Sequence, residues 1–375
     1  MTRHREHLLR SAGLSRRDFS LGLAGSALLA TGAAQARDVF DAIIGPAQSA
    51  NGLPTYPTLA AFLRSDMGRS TAPATVRLTA GEYWGQTIVE RPNLRLIGDG
   101  RDRTFLRAGA YAGAIGPDGR PYGTFRTAVL DVRAPGFHAQ DINIENMFDA
   151  WAEMHRPNGL KADKGGSQQA IALALSGAAD RSTIVRCAIG SHQDSLFCAS
   201  GRSLFLGCRI SGSYDFIFGG GAARFERCEI VSRPRIDPTE GYIAAPSTQI
   251  AQSAGLVFDR CVLTADAGVP DASVFLGRPW RTSVKAGDGS MPDMRSVGMA
   301  AYLRCAMGKH IAPAGWTRMR FGTPSRWFEP EDARFREFAN TGPGSVGPRR
   351  AVGLTAEQAG LLSRAAMFKD WRPHV

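Results

Sequence analysis

Three things are scarce in this chain of 375 residues, and each scarcity excludes something. Beyond the N-terminus there is no run of ~20 apolar residues, so no membrane-spanning helix is expected in the body of the chain. Long amphipathic helical patterns are missing between the strand-like phrases, which excludes a βαβ architecture and favours an all-β array. Acidic residues are the minority charge, 34 Asp and Glu against 45 Lys and Arg, for a formal net charge of +11. That balance suits an anionic ligand, whether acidic polysaccharide, anionic lipid or nucleic acid, and does not choose among them.

The N-terminus reads as a targeting segment. Arg16 and Arg17 precede Asp18 and Phe19, an apolar run follows from Leu21 to Leu29, and Ala34, Gln35 and Ala36 supply a small-residue cleavage site. The arginine pair predicts a twin-arginine export signal over residues 1–36, with an ordinary secretory signal or an uncleaved anchor as the alternatives. No Cys follows the apolar run, which argues against a lipid anchor. Residues 37–375 are then one domain, exported to the periplasm or beyond.

What the chain does have is a repeat. Cys187, Cys208 and Cys228 sit in phrases of one kind (IVRCAI, LFLGCRI, RFERCEI), and Cys261 and Cys305 recur in GLVFDRCVL and AAYLRCAM. A period near twenty residues is a solenoid signature. It fits a right-handed parallel β-helix whose interior is packed by ladders of Val, Ile, Leu, Phe and Cys. The wider spacings after Cys228 predict inserted loops at 232–252 and 264–296, walling a cleft. Leu59 to Leu63 has helical periodicity and is expected to cap one end of the solenoid. Residues 354–368 read as one helix opened by a Thr355–Gln358 capping box. In an exported protein Cys208 and Cys228, one turn apart, are candidates for a disulfide; the alternative is a stack of buried free thiols.

The same period aligns polar residues. Asp194 follows Cys187 by seven residues, and Asp215 follows Cys208 by seven, so the two carboxylates fall on adjacent turns, roughly 5 Å apart at the usual strand spacing. Paired carboxylates resist joint ionisation, which leaves one protonated as an acid beside a nucleophilic neighbour. Gln169 and Gln193 bring NH₂ donors suited to an oxyanion. Arg278, in LGRPW, can orient one Asp through a paired hydrogen bond, and Trp280 offers a face on which a sugar can stack.

QAIAL, HQDSLF, SYDFIFG, LGRPW and HIAPAGW, in that order, resemble the successive motifs of the pectin methylesterases, carbohydrate esterases acting on homogalacturonan. The resemblance runs from about residue 43 to the C-terminus, and GYIAAPST, WFEPEDARF and the closing WRP are similar to the bacterial branch. It implies a parallel β-helix, no metal or other cofactor, and a monomer whose partner is pectin, with no nucleic acid and no stable membrane association. It also implies Asp215 as nucleophile, Asp194 as general acid and base, Gln169 and Gln193 as oxyanion donors, and Arg278 as the group orienting Asp215. Trp280, Phe197, Phe218 and Thr124 match substrate-contact positions. Ser195 and Phe197 stand where the family commonly has Thr and Tyr. Rival readings are an acyl-CoA thioesterase on the same scaffold, a pectate lyase or polygalacturonase, and a non-catalytic polysaccharide-binding solenoid. A lyase needs a calcium-binding carboxylate cluster, whereas these acids come paired with Gln donors.

Overall fold

Strand-forming phrases of two to six residues, separated by Gly or by single residues in left-handed backbone, make this chain turn before any strand grows long. The computed structural model describes residues 39–46, 52–155, 168–235, 240–286, 289–321, 325–373 and 375. The export signal expected at 1–36 lies outside the described residues.

Among the described residues the strands build three long sheets of twelve, eight and seven strands, with two antiparallel hairpins outside them. Every pairing within the three sheets is parallel. One coil visits each sheet in turn: Arg202–Leu206 in the first, Arg209–Gly212 in the second and Ile217–Gly219 in the third. The chain then returns to the first sheet at Ala222–Glu226, with Arg202 paired to Ala222. This is a parallel β-helix, and its register is the sequence period made physical.

Because side chains alternate across a strand, equivalent inward positions stack coil upon coil. In the first sheet Phe205, Phe225, Phe258 and Tyr302 form a continuous stack, with centroids 4.7, 4.6 and 4.4 Å apart and nearly parallel rings. In the second sheet Ile144, Ile189, Ile210, Ile230, Leu263 and Met307 are in register. Burying each such side chain is worth about 1.5–3 kcal/mol, and offset aromatic pairs add about 0.5–1.5 kcal/mol each.

The corner between the first two sheets repeats a device. Arg186, Gly207, Arg227, Arg260 and Arg304 all have φ between 48° and 61°. Each is followed by a buried Cys: Cys187, Cys208, Cys228, Cys261 and Cys305. Left-handed backbone turns the chain sharply and sends the preceding basic side chain outward, where Arg186 meets Asp141 at 2.6 Å and Arg304 meets Asp259 at 2.6 Å. Of the two readings of Cys208 and Cys228, the structure shows the stack of buried free thiols rather than the bridge: all six cysteines are free. Neighbours in a parallel ladder stand about 4.8 Å apart with Cβ bonds aligned, wider than the ~3.8 Å Cβ separation a disulfide prefers. The Cys208 and Cys228 thiols donate instead to the carbonyls of Ile184 and Phe205, at 3.4 and 3.5 Å.

Three other expectations need correction or refinement. The segment 354–368 forms two helices, Ala356–Gly360 and Arg364–Phe368. The capping box of Thr355 and Gln358 is present, but Gly360 weakens the helix and the Ser363 hydroxyl caps a new one at Ala366 N. Both insertions are shorter than anticipated, because Gly241–Pro246 and Val274–Gly277 are strands of the third sheet. The N-terminal periodicity yields Leu59–Arg64, capped by Thr58, with Leu59 and Phe62 buried in the main core. No helix among the described residues is long and apolar enough to cross a membrane.

Candidate active site

The second corner, between the eight- and seven-stranded sheets, carries the acids. Asp194 and Asp215 both adopt left-handed backbone, φ 65° and 44°, a conformation Asp tolerates better than most residues. Leu196 pairs with Ile217, so the acids two residues earlier occupy equivalent places on adjacent coils. Backbone bonds hold the bend: Asp194 N donates to Tyr214 O at 3.2 Å, and the Ser195 hydroxyl to Ser211 O at 2.8 Å. Gly219, closing the DFIFG phrase, has φ 124°, and a Cβ there would lie 2.0 Å from Cys198 O, so the strand after Asp215 requires glycine.

Both acids are nearly buried, yet they differ in partners. Asp215 accepts a two-point fork from Arg278, Nε to Oδ1 at 2.8 Å and the terminal nitrogen to Oδ2 at 2.5 Å. Burial works against the Arg278 charge, but Asp215 outweighs it and raises the guanidinium pKa. Asp194 has no such partner. Burial, then the charge of Asp215, holds its carboxyl well above the usual carboxylate range, with Arg278 only partly offsetting them. One carboxylate therefore has a forked cationic partner, and the other, without one, is kept protonatable.

These groups face a cavity of about 510 Å³. Gln169, Gln193, Asp194, Asp215, Arg278 and Trp280 all line it. The Gln169 Oε1 is buried and accepts no hydrogen bond from the described residues. One wall is aromatic: Trp280 meets Phe218 edge-on at 5.7 Å, Phe218 stacks on Phe197 at 4.6 Å, and Phe125 tilts against Phe197 at 5.0 Å.

A sequence profile of the pectinesterase family matches residues 47–358. The chain is 34% identical to Pectinesterase A of Dickeya dadantii over 91% of its length and 93% of that protein. The chain belongs to the pectinesterase family. Among solved structures it matches pectin methylesterase PemA from Erwinia chrysanthemi at 32% identity and TM-score 0.82, over 90% of this chain and 99% of that one. A pectin methylesterase in complex with hexasaccharide VII matches at 32% identity and TM-score 0.82, with the same coverage. The enzyme from Yersinia enterocolitica matches at 33% identity and TM-score 0.78, over 84% and 99% of the two chains.

In this pectinesterase the cavity brings together the four polar residues read from the repeat and Arg278 of LGRPW, with Trp280, Phe218 and Thr124. Phe197 stands one ring back, supporting Phe218 rather than lining the cavity. Sequence reasoning missed Phe125, Ala245, Met319 and Arg320, which complete the walls. Ala245 was recoverable from register, since it continues the outward row of Phe197 and Phe218. Met319 and Arg320 belong to a hairpin outside the coils, where no period points to them. Of the two stretches expected to wall the cleft, 232–252 supplies Ala245 and 264–296 supplies Arg278 and Trp280, while Thr124, Phe125, Met319 and Arg320 come from outside both.

Proposed function

We propose that this pectinesterase hydrolyses the methyl esters of galacturonate in homogalacturonan through a covalent acyl-enzyme on Asp215. The observation that carries the reading is the asymmetry of the pair: Asp215 is forked to Arg278, while Asp194 lies beside it with its pKa driven upward. An Asp215 oxygen attacks the ester carbonyl carbon, and the tetrahedral oxyanion accepts hydrogen bonds from the amides of Gln169 and Gln193. Collapse breaks the bond to methoxide, which takes the Asp194 proton and leaves as methanol. Asp194, now a carboxylate, removes a proton from water, and the resulting hydroxide attacks the same carbon. Asp215 departs as carboxylate, Asp194 is protonated again, and one water has been consumed per methanol released.

Trp280 and Phe218 suit the apolar faces of sugar rings, and the chain's positive charge suits a polyuronate. The enzyme acts as an exported protein, a reading supported by the Arg16–Arg17 segment. Methanol release from methylated pectin by the wild type, Asp194→Ala and Asp215→Ala tests the assignment. Loss in both variants with pectin binding retained is the expected result. Hydrolysis of palmitoyl-CoA without methanol release from pectin would overturn it in favour of a thioesterase.

A further inference from the structure

Arg278 is fixed from two directions, and only one of them is a carboxylate. Asp215 takes its edge in the fork. Against its face lies the Tyr242 ring, with the guanidinium carbon 4.0 Å from the ring centroid. Register explains the placement. Ile217 pairs with Ala244, so two residues earlier Tyr242 occupies the position one coil beyond Asp215. Tyr242 is itself backed by Phe275, its partner in the next coil, with centroids 6.3 Å apart. The tyrosine does not line the cavity, and its hydroxyl points to Glu240 Oε2 at 3.3 Å. Its ring, then, is the part that meets the catalytic machinery.

The chemistry proposed above makes that ring matter at one particular moment. While Asp215 is a carboxylate, it is the natural partner of Arg278. Once acylated, Asp215 carries no charge, and Asp194 has just given up its proton to methanol. Arg278 then faces a neutral anhydride oxygen, with a fresh carboxylate within its electrostatic reach. Of the other charged groups facing this pair, Arg320 repels the guanidinium and Glu240 lies on the hydroxyl side of Tyr242. If Arg278 swung to Asp194, it would stabilise that carboxylate and weaken it as the base that must activate water. A ring face attracts a guanidinium whether or not Asp215 is charged, most strongly where water is excluded.

We propose that Tyr242 is a positioning residue for the second half of the reaction, whose ring retains Arg278 beside Asp215 while Asp215 is acylated. Asp194 thereby stays an unpaired base, and Arg278 is in place to receive the carboxylate as it leaves. The inference rests on Asp215 being the nucleophile.

The signature is kinetic. Methanol leaves in the first half, so slowing only the second half produces a burst of methanol followed by slow turnover. In Tyr242→Leu, kcat and KM are expected to fall together by about tenfold or more, with kcat/KM within about two-fold of wild type and a burst approaching one methanol per enzyme. Tyr242→Phe keeps the ring and is expected to behave as wild type, without a burst. Unchanged kcat in Tyr242→Leu, a fall in kcat/KM without a burst, or equal impairment of Tyr242→Phe would overturn the proposal. Should Tyr242→Leu not fold, the Arg278 Nε–H resonance decides. A shift to high field from the ring current is expected in wild type and in Tyr242→Phe, and an unshifted resonance sinks the idea. Methanol release by Asp215→Ala would instead be a failure of the nucleophile assignment, and would take this inference with it.

Discussion

Two corners of the same solenoid use one backbone device for opposite ends. At the first, left-handed residues such as Arg227 and Arg260 precede in-register cysteines that are 0–1% exposed. At the second, the left-handed residues are themselves Asp194 and Asp215, facing a cavity. In both, a side chain meets its own kind one coil away. Stacked thiols are small, weakly polar and satisfied by nearby carbonyls, so their repetition is readily accommodated at the coil spacing the ladder sets. Stacked carboxylates repel, and that repulsion is tolerated because Arg278 neutralises one and a proton the other. The ladder supplies identical geometry; the side chain decides whether it becomes scaffold or chemistry.

The contrast breaks most sharply at Asp215. Asp215→Ala is expected to lower kcat for methanol release by at least about a thousandfold, the scale of losing a nucleophile, while circular dichroism shows an intact solenoid. The reciprocal change, Cys228→Asp, puts a carboxylate into the first corner without an Arg278 to receive it. It is expected to destabilise by about 3–5 kcal/mol, measured by denaturant unfolding, as an uncompensated buried charge does.

Asp194 offers a finer test. Its folded pKa lies above the unfolded value, so the folded chain holds that proton to higher pH. Stability from this group is complete in acid, below the ordinary carboxylate pKa, and is lost as pH rises through the folded value. Asp194→Asn cannot ionise and escapes that loss. Its melting temperature relative to wild type is therefore expected to rise more at pH 8 than at pH 4, while activity falls. An equal shift at both pH values would show that Asp194 is ionised without cost. The smallest effect belongs to the thiols. Burial pushes Cys187 and Cys228 well above the ordinary thiol pKa, so a thiol-directed reagent should label neither in the native enzyme and both after unfolding.

How much of this could be read in advance follows from where period and function coincide. Asp194 and Asp215 were visible because 21 residues separate them, the same offset that separates Cys187 from Cys208. Gln169, Gln193 and the Arg278 motif came with them. The choice between a disulfide and stacked free thiols stayed open because spacing gives adjacency along a ladder but not the direction of Cβ bonds, which parallel strands align. Phe125 and the Met319–Arg320 hairpin lie off the period, so nothing in the repeat assigns them to the cavity. Tyr242 sits on the period but was hidden by it: a strand residue in GYIAAPST looks like packing until register sets it beneath Arg278. The broken C-terminal helix shows the same limit on a small scale, where one serine hydroxyl outweighs an apolar pattern.

The segment that carries those two helices has a consequence for self-association. Leu204, Val257 and Ala301 face outward from the twelve-stranded sheet, and Leu362, Met367 and Phe368 cover them. Arg224 donates to the Leu362 carbonyl and Arg202 to the Phe368 carbonyl at 2.8 Å, pinning the segment across the coils. These covering residues follow every coil in chain order. A chain cut before them can therefore wind its coils while still carrying an apolar stripe along its flank, open to any other hydrophobic surface. Removal of residues 354–375 is expected to leave an enzyme with a complete active site that aggregates.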